Sequence, residues 1–504
     1  MAYGTPGSKR VAIIGAGPAG LVSARWLLSQ GFEPVLLEAS GDLGGQWNTN
    51  SPLSATWPGM VTNTSRIMTA FSDLDHPVGT PTYPSREAMH AYLLEYAEHF
   101  EIIRRIRFST EVTHVTRDGD QWRLSLSETG PDGRVKSDLR VGHVVVAVGR
   151  QTAPDLPDLP GLDSFTGRLG RCHTAAYPGP EPYKDATVVV AGCSISALEI
   201  ATDLANAGAR VITAYRRQRY VLPKLQAGVP TEHVMFTRAA ALGGERLPAE
   251  AVAAGLREQI ITVAGRPDQW GALPVADDVR HAGITQAQGF LPAVAEGRIL
   301  TPGWIESVDG QDVTFADGSR HTADAMIFGT GYKLSVPFLD PVISDSLNAG
   351  PDGLDLFAET FHPDCLGLAF IGQYNLMGPY FPVLELQARW LARVWSDAAT
   401  DMDAMRAALD TGAYRPVRGA GVPMHVMALL FSRLAGVEPD LQADAGLVRA
   451  LLFGPLSPAS FRISGPDASS DARDRTLKAA TAFGHLEGAD FTPDQAAFRN
   501  AIGA

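Results

Sequence analysis

The sequence predicts an α/β protein with two βαβ-based domains, the second inserted into the first, and a mixed helix-and-loop extension at the C-terminus. A strand, a turn of small residues, a helix and a second strand occur near the N-terminus and again from residue 187 onward. A proline-rich stretch over residues 153–161 separates the two units and is typical of a linker. The predicted domain limits are residues 1–157 and 321–400 for the first domain, 158–320 for the insert and 401–504 for the extension.

The first unit begins with an apolar run over residues 11–14, and residues 34–37 begin the next strand. The turn between strand and helix contains Gly15, Gly17 and Gly20 at Gly-x-Gly-x-x-Gly spacing. Only glycine lets a pyrophosphate approach the backbone N–H groups at a helix N-terminus this closely. The whole predicted turn is Gly15, Ala16, Gly17, Pro18, Ala19 and Gly20.

Glu38 ends the second strand, 23 residues after Gly15, where an acidic side chain binds ribose hydroxyls. The alternative is a glycine-rich turn that binds no ligand. A second glycine loop follows, and we expect its residues Gly45, Gln46 and Trp47 to lie close to a large flat ligand such as an isoalloxazine ring. A core position for Trp47 is the alternative.

The second unit has a strand over Thr187–Ala191, a helix over residues 198–207 and a strand over Arg210–Ala214. Its turn is a degenerate form of the same fingerprint, with Gly192, Ser194, Ile195, Ser196 and Ala197 as predicted cofactor-binding residues. At the spacing where the first unit has Glu38, this unit has Tyr215 followed by Arg216 and Arg217. Because guanidinium groups bind a 2′-phosphate, the second site is predicted to take NADPH; the alternative is a solvated basic turn.

A later strand over residues 324–328 is followed by Gly329-Thr330-Gly331-Tyr332. We expect this strand to return the chain to the first domain and Thr330 and Gly331 to contact a cofactor. Residues 226–302 have weak periodicity, and the sequence does not place their elements.

Composition narrows the function class. The chain has 504 residues, 45% of them hydrophobic, and a formal net charge of −13, which argues against nucleic acid or an anionic membrane surface as partner. The three cysteines are widely spaced without a Cys-x-x-Cys, and no apolar run is long enough for a membrane span. We therefore expect a cytoplasmic protein. No metal-ligand cluster or Ser-His-Asp arrangement is evident.

Beyond these two units, several segments resemble the flavin-containing monooxygenase family over nearly the whole chain. The segment over residues 62–73 resembles the one that this family places over the flavin, and residues 328–332 resemble its Phe-Ala-Thr-Gly-Tyr element, with Gly329 in place of alanine. Further matches are residues 368–372, 385–390, 453–455, 461–462 and 465–466.

The resemblance implies FAD in the first domain, NADPH in the second, and a small-molecule substrate that is oxygenated with O₂. A C4a-hydroperoxyflavin would transfer oxygen to a soft nitrogen or sulfur atom, and bound NADP⁺ would shield it. Thr62 and Asn63 would lie at the flavin, and Asn63 would have the catalytic role as a neutral hydrogen-bonding amide. The resemblance also suggests a homodimer.

One family motif, Phe-x-Gly-x-x-x-His-x-x-x-Tyr/Phe, is stretched here. Five residues separate Gly167 from His173 where the family has three. We expect a local bulge, and we interpret His173 as a hinge-stabilising residue. Related Baeyer–Villiger enzymes carry tryptophan where Tyr177 stands and aspartate where Asn63 stands, so Asn63 favours heteroatom oxygenation over ketone oxidation, which remains the alternative.

Two further classes of protein pair the same domains. A thiol-disulfide reductase requires a redox-active cysteine pair that the sequence lacks. A non-enzymatic redox sensor that binds both nucleotides is favoured only by the degenerate Gly192-Cys193-Ser194 turn. The substrate and the role of residues 226–302 stay open.

Overall fold

A computed structural model describes residues 8–51, 54–130, 133–397, 402–412, 418–488 and 490–504. The first sheet has five parallel strands, and Arg10–Ile14 lies at its centre, in register with Glu33–Leu37 on one side and His143–Val146 on the other. Both faces of this sheet are covered: one packs against helices in a large hydrophobic core, and the other packs against an antiparallel sheet within residues 110–141. The strand order is Leu368–Phe370, His143–Val146, Arg10–Ile14, Glu33–Leu37 and Ile106–Arg107.

The second sheet repeats this design, which confirms the two predicted βαβ units. Thr187–Ala191 pairs in parallel with Arg210–Ala214, and the helix between them spans Ile195–Asn206. The strand order is Ile299–Leu300, Arg210–Ala214, Thr187–Ala191, Ala325–Phe328 and Gly170–His173.

One strand prediction is wrong. Ala325–Phe328 does not return the chain to the first sheet, because it pairs in parallel with Thr187–Ala191 in the second. The return is made by Leu368–Phe370, which pairs with His143–Val146. Both candidates are short buried apolar strands, so their composition does not distinguish the sheets. The exact domain limits remain a prediction.

The chain passes between the sheets at a two-stranded ribbon. Ala153–Pro154, in the proline-rich stretch, pairs antiparallel with Tyr332–Lys333 after the second sheet. The outgoing and returning connections therefore lie side by side. A separate antiparallel sheet precedes the first crossing and consists of Thr110–Asp118, Gln121–Gly130 and Gly133–Val141.

Residues 226–302 contain mostly helices. Beside them lie short strands over Tyr220–Leu222, Leu225–Gln226, Val229–Pro230 and Ile284–Gln286, and three antiparallel strands follow over Ile305–Asp309, Asp312–Phe315 and Arg320–Thr322. The helices of this region are Thr231–Met235, Arg238–Arg246, Ala249–Ala264, Val279–Ala282 and Phe290–Ala295.

The first sheet and the C-terminal extension share one hydrophobic core. The helix Phe381–Ser396 is buried along nearly its whole length between the helix Pro18–Ser29 and the extension. No helix in the described ranges combines the length and the apolarity that a bilayer crossing requires. The other helices are Arg86–His99, Pro341–Ser346, Met402–Thr411, Met424–Leu434, Val448–Phe453, Ala472–Thr481 and Pro493–Ile502, and a short parallel pair joins Leu376–Met377 to Val422–Pro423.

Candidate active site

The first glycine turn joins Arg10–Ile14 to the helix Pro18–Ser29. Gly15 has φ +103°, and its N–H donates to the Leu37 carbonyl at 2.9 Å. A side chain on Gly20 would run into the Gly15 carbonyl oxygen, so the strand and the helix meet only because both positions are glycine. Gly17 is the N-cap residue and provides no side-chain cap. Among the described residues the Ala19 and Gly20 N–H groups have no acceptor, so they are available to bind a pyrophosphate.

Glu38 lies directly beside this turn, as the sequence predicts. One carboxylate oxygen accepts the Ala16 N–H at 2.8 Å, and the other accepts the Ser40 N–H at 2.9 Å and the Ser40 hydroxyl at 2.7 Å. The side chain is buried. These bonds fix an anionic group within reach of the position where the ribose of a nucleotide on this turn would lie.

The second glycine loop lies against the first turn. A side-chain carbon on Gly45 would be 3.0 Å from Gly17 Cα, so the two backbones form one cradle without side chains. Gly45–Trp47 is a single 3₁₀ turn with Gln46 at its centre and Trp47 buried in the first hydrophobic core. Trp47 Nε1 is buried and has no hydrogen-bond partner within the described part of the chain. Its core position was the alternative interpretation of this residue.

The second turn is closely packed, although its sequence is a degenerate form of the glycine fingerprint. Ser194 caps the helix Ile195–Asn206 by accepting the Ala197 N–H, and its hydroxyl donates to the Gly329 carbonyl at 3.1 Å. A side-chain carbon on Gly329 would be 2.7 Å from the Ala197 side chain. The alanine in the turn thus explains why this chain has glycine where the family element has alanine. The N–H groups of Ile195 and Ser196 precede the capped one and face the turn.

Arg216 and Arg217 follow the strand Arg210–Ala214 and are exposed. The Arg216 guanidinium lies 4.6 Å from the centre of the Trp304 ring. Neither arginine forms an ion pair with a carboxylate of the described residues, although carboxylates pair with many other arginines of this surface. Two unneutralised guanidiniums at the end of this strand fit a 2′-phosphate.

Thr330 and Gly331 come directly before Tyr332–Lys333, one strand of the two-stranded ribbon between the sheets, which we call the crossover ribbon. Both residues bond the backbone of the other connection. The Thr330 hydroxyl donates to the Asp155 carbonyl, and the Gly331 carbonyl accepts the Asp155 N–H at 2.9 Å. His173 Nε2 bonds the Gly331 carbonyl at 3.0 Å and Nδ1 accepts the Ala175 N–H at 3.1 Å. These contacts agree with the interpretation of His173 as a hinge-stabilising residue, which stays a prediction. Within the stretched interval, a turn closed by the Gly170 N–H and the Gly167 carbonyl at 2.9 Å comes directly before the strand Gly170–His173.

Asn63 lies in the segment of residues 62–66, where the inserted domain meets the first. Its Oδ1 is buried and has no partner among the residues that the structure describes. The Thr62 carbonyl, next to it, faces Lys224 Nζ at 3.5 Å. An unsatisfied buried amide oxygen fits a bound group with N–H donors, such as a flavin or a nicotinamide carboxamide.

Three side chains that the sequence did not single out for a role pack against this segment. Lys224 is buried and forms an ion pair with Glu199 at 3.0 Å. The Glu232 carboxylate accepts the Ser65 N–H, and His233 Nε2 bonds the Ser65 hydroxyl at 2.9 Å. Glu232 and His233 lie within residues 226–302, whose elements the sequence did not place. The only signal for them in the sequence was an acidic residue next to a histidine in a mostly apolar stretch.

Burial sets the protonation of this pair. It raises the pKa of Glu232 to about 7 against the opposing effect of its Ser65 bonds and Lys224. Burial, with His485 and Arg66 nearby, lowers the pKa of His233 to about 3, so the imidazole is neutral. Near neutral pH His233 is therefore uncharged, whereas Glu232 is close to the midpoint of its titration.

Two pyrophosphate-type turns, one beside a carboxylate and the other beside two arginines, define a flavoprotein oxidoreductase that uses FAD and NADPH. The chain belongs to the flavin-binding monooxygenase-like family, whose model matches residues 8–411. It is similar to flavin-containing monooxygenase 3 of Macaca mulatta, with 28% identity over 93% of this chain and 91% of that protein. It is also similar to the N-oxide-forming dimethylaniline monooxygenase 2 of Rattus norvegicus, with the same identity and coverage.

Solved structures share the fold. The S-allyl-L-cysteine S-oxygenase of Allium sativum superposes with a TM-score of 0.62 at 20% identity and covers 98% of both chains. The cyclohexanone monooxygenase of Rhodococcus sp. Phi1 bound to NADP⁺ superposes with a TM-score of 0.60 at 20% identity and covers 85% of this chain and 97% of its own. The shared fold confirms the predicted fold class.

Proposed function

We propose that this monooxygenase uses NADPH and O₂ to oxygenate a nucleophilic nitrogen or sulfur atom of a small molecule. The observation that carries the proposal is the amide of Asn63, whose buried Oδ1 has no hydrogen-bond partner in the described part of the chain and lies where the inserted domain contacts the first. The relative named as N-oxide-forming supports nitrogen, and the S-oxygenase with the same fold supports sulfur.

Each group of residues has a distinct part in this proposal. The first turn and Glu38 hold FAD, whereas the second turn, Arg216 and Arg217 hold NADPH through its pyrophosphate and 2′-phosphate. Bound FAD, once reduced by NADPH, supplies the oxygen-activating chemistry. Asn63 provides a neutral hydrogen-bonding group at that site, where a carboxylate would introduce charge.

The remaining contacts are proposals of the same kind. The flavin side of the site is lined by Gly45, Gln46, Trp47 and Thr62. The crossover ribbon places Thr330 and Gly331 near the cofactors. Three free cysteines support a reducing, cytoplasmic location. We propose a homodimer, which light scattering of the purified protein will test.

The experiment is an NADPH-oxidation assay under ¹⁸O₂ with three probes: N,N-dimethylaniline, S-allyl-L-cysteine and cyclohexanone. We expect one labelled oxygen atom in the N-oxide or sulfoxide for each NADPH consumed, with little hydrogen peroxide. A labelled lactone from cyclohexanone as the only product would establish the Baeyer–Villiger alternative. Complete conversion of NADPH to peroxide with all three probes, or no NADPH oxidation, would contradict the proposal.

A further inference from the structure

Two contacts from the inserted domain hold the backbone on either side of Asn63. Lys224 Nζ faces the Thr62 carbonyl at 3.5 Å, and Glu232 accepts the Ser65 N–H. Thr62 directly precedes Asn63 in the sequence, and Ser65 follows it by two positions. The backbone that carries the Asn63 amide therefore depends on side chains that come from more than 150 residues later in the chain.

The carboxyl group of Glu232 is committed to this segment. The side chain is 1% exposed and lies in the five-residue helix Thr231–Met235. Its Oε1 accepts the Ser65 N–H, while Oε2 is buried with no hydrogen-bond partner among the described residues. A buried acid with one unsatisfied oxygen destabilises the fold unless it is neutralised, and burial does raise its pKa to about 7. Because burying this carboxyl group is energetically unfavourable, its presence here indicates a role beyond packing.

The same helix is anchored on its other sides. His233 is fully buried between the Ser65 hydroxyl and the ring of Phe483 in the C-terminal extension, 5.3 Å between ring centres. The Arg66 guanidinium lies 5.4 Å from the centre of that Phe483 ring. The helix therefore holds residues 65–66 between the insert and the extension, and Glu232 is its direct link to their backbone.

Lys224 connects this segment to the second nucleotide turn. Its ion pair with Glu199 at 3.0 Å fixes it to the helix Ile195–Asn206, whose N-terminus is the second turn. A rigid helix and a buried ion pair thus lie between the proposed NADPH pyrophosphate site and the backbone next to Asn63.

We propose that Glu232 is a positioning residue that sets the orientation of Asn63 through the Ser65 N–H, so that the inserted domain fixes the geometry of the flavin-side amide. This inference rests on the proposed function of the Asn63 site. Glu232 acts through residues 63–65 and touches no reacting atom.

The first test needs neither cofactor nor substrate. Hydrogen exchange of the cofactor-free protein reports how firmly the Ser65 amide is held. In Glu232→Ala we expect exchange at residues 62–66 to rise about tenfold, the effect of losing one hydrogen bond to a carboxyl group. Glu232→Gln retains an acceptor oxygen of the same shape, so protection should return to within about threefold of the parent.

Glu385→Ala is the matched control. Glu385 is similarly buried and accepts both the N–H and the hydroxyl of Ser72, further along the same segment. This variant should raise exchange around residue 72 and leave residues 62–66 as they are. If Glu232→Ala leaves exchange at residues 62–66 unchanged, or if Glu385→Ala changes it equally, the proposal is overturned.

The second readout is coupling in the holoenzyme. Glu232→Ala should retain FAD and the KM for NADPH but release about tenfold more hydrogen peroxide per NADPH with N,N-dimethylaniline, and Glu232→Gln should restore the parent value. A merely structural role would lower FAD content and activity together and would overturn the proposal. Should the parent oxygenate none of the three probes while the exchange pattern holds, the proposed function fails and the role of Glu232 in holding the segment stands.

Discussion

Gly15→Ala tests whether the first turn requires glycine for space as well as for backbone conformation. The φ of Gly15 is +103°, which strains any L-residue by about 1–2 kcal/mol. The new side-chain carbon would also lie 2.7 Å from the Ala147 carbonyl oxygen and 3.2 Å from its carbonyl carbon. Both atoms belong to the backbone beyond the neighbouring strand, so relief requires the sheet to shift, which adds about 1–3 kcal/mol.

Gly208→Ala provides the matched control. Gly208 has φ +95°, it ends the corresponding helix of the second unit, and a side-chain carbon there would meet nothing within 4 Å. The backbone strain is therefore common to both variants, and their difference isolates the collision with Ala147. We expect Gly15→Ala to be less stable than Gly208→Ala by about 2 kcal/mol, or roughly 4–8 °C in apparent Tm.

The assay is thermal unfolding of both cofactor-free variants at one scan rate, together with flavin bound per purified chain. Because the Gly15 N–H bonds the Leu37 carbonyl beside Glu38, a displaced turn should also lower the FAD content of Gly15→Ala, whereas Gly208→Ala should retain it. Equal Tm values for the two variants with full FAD content in both would show that the turn has room for a side chain, and the argument for a close backbone approach would fail.

Three further predictions concern the second nucleotide turn, the amide of Asn63 and the loss of stability at acid pH. Arg216→Ala should raise the KM for NADPH roughly 10–100-fold and that for NADH by no more than about twofold, in steady-state kinetics with both coenzymes; equal effects would remove its 2′-phosphate role. Asn63→Leu should retain FAD and NADPH oxidation but lower labelled product per NADPH roughly tenfold or more, so a normal product yield would make Asn63 purely structural. Burial lowers the pKa of His143 to about 4, so its contribution to stability is complete above pH 6.5 and is lost as the pH falls towards 4. His143→Phe should therefore lose less Tm than the parent between pH 7 and 5, where this residue contributes roughly 2 kcal/mol, and an identical loss would contradict that assignment.

The two nucleotide turns were predictable because their geometry is local. Gly15 and Gly192 each lie between a strand and the helix that follows, and both have positive φ. Glu38 and Arg216 each follow the next strand of their unit at nearly the same spacing. A βαβ unit brings these positions together whatever the rest of the chain does, so the pattern was sufficient to predict how each turn is built. The assignment of one nucleotide to each turn stays a prediction.

The strand Ala325–Phe328 shows where such local patterns fail. It has four buried residues, as does His143–Val146 in the other sheet. Any central strand of a covered parallel sheet has this appearance, so the sequence identifies the strand but not its partner. The pairing depends on where the preceding antiparallel strands leave the chain, which is a tertiary property. The crossover ribbon, two residues on each side, is too short to carry a periodic signal.

The residues that hold Asn63 were harder still to predict, for an energetic reason. Glu232 meets Ser65 across 167 positions in the sequence, and His233 meets it across 168. In an isolated sequence a Glu-His pair is best interpreted as exposed, because burying either group without a partner is unfavourable. Their burial is tolerable only because the Ser65 N–H and hydroxyl reach them, because the His233 imidazole is neutral, and because burial raises the pKa of Glu232 to about 7 and so favours its protonated form. The same dependence makes them informative once the fold is known. A side chain that is stable in the core only through one distant backbone segment also restrains that segment, and here the segment carries the amide of Asn63, for which we propose the catalytic role.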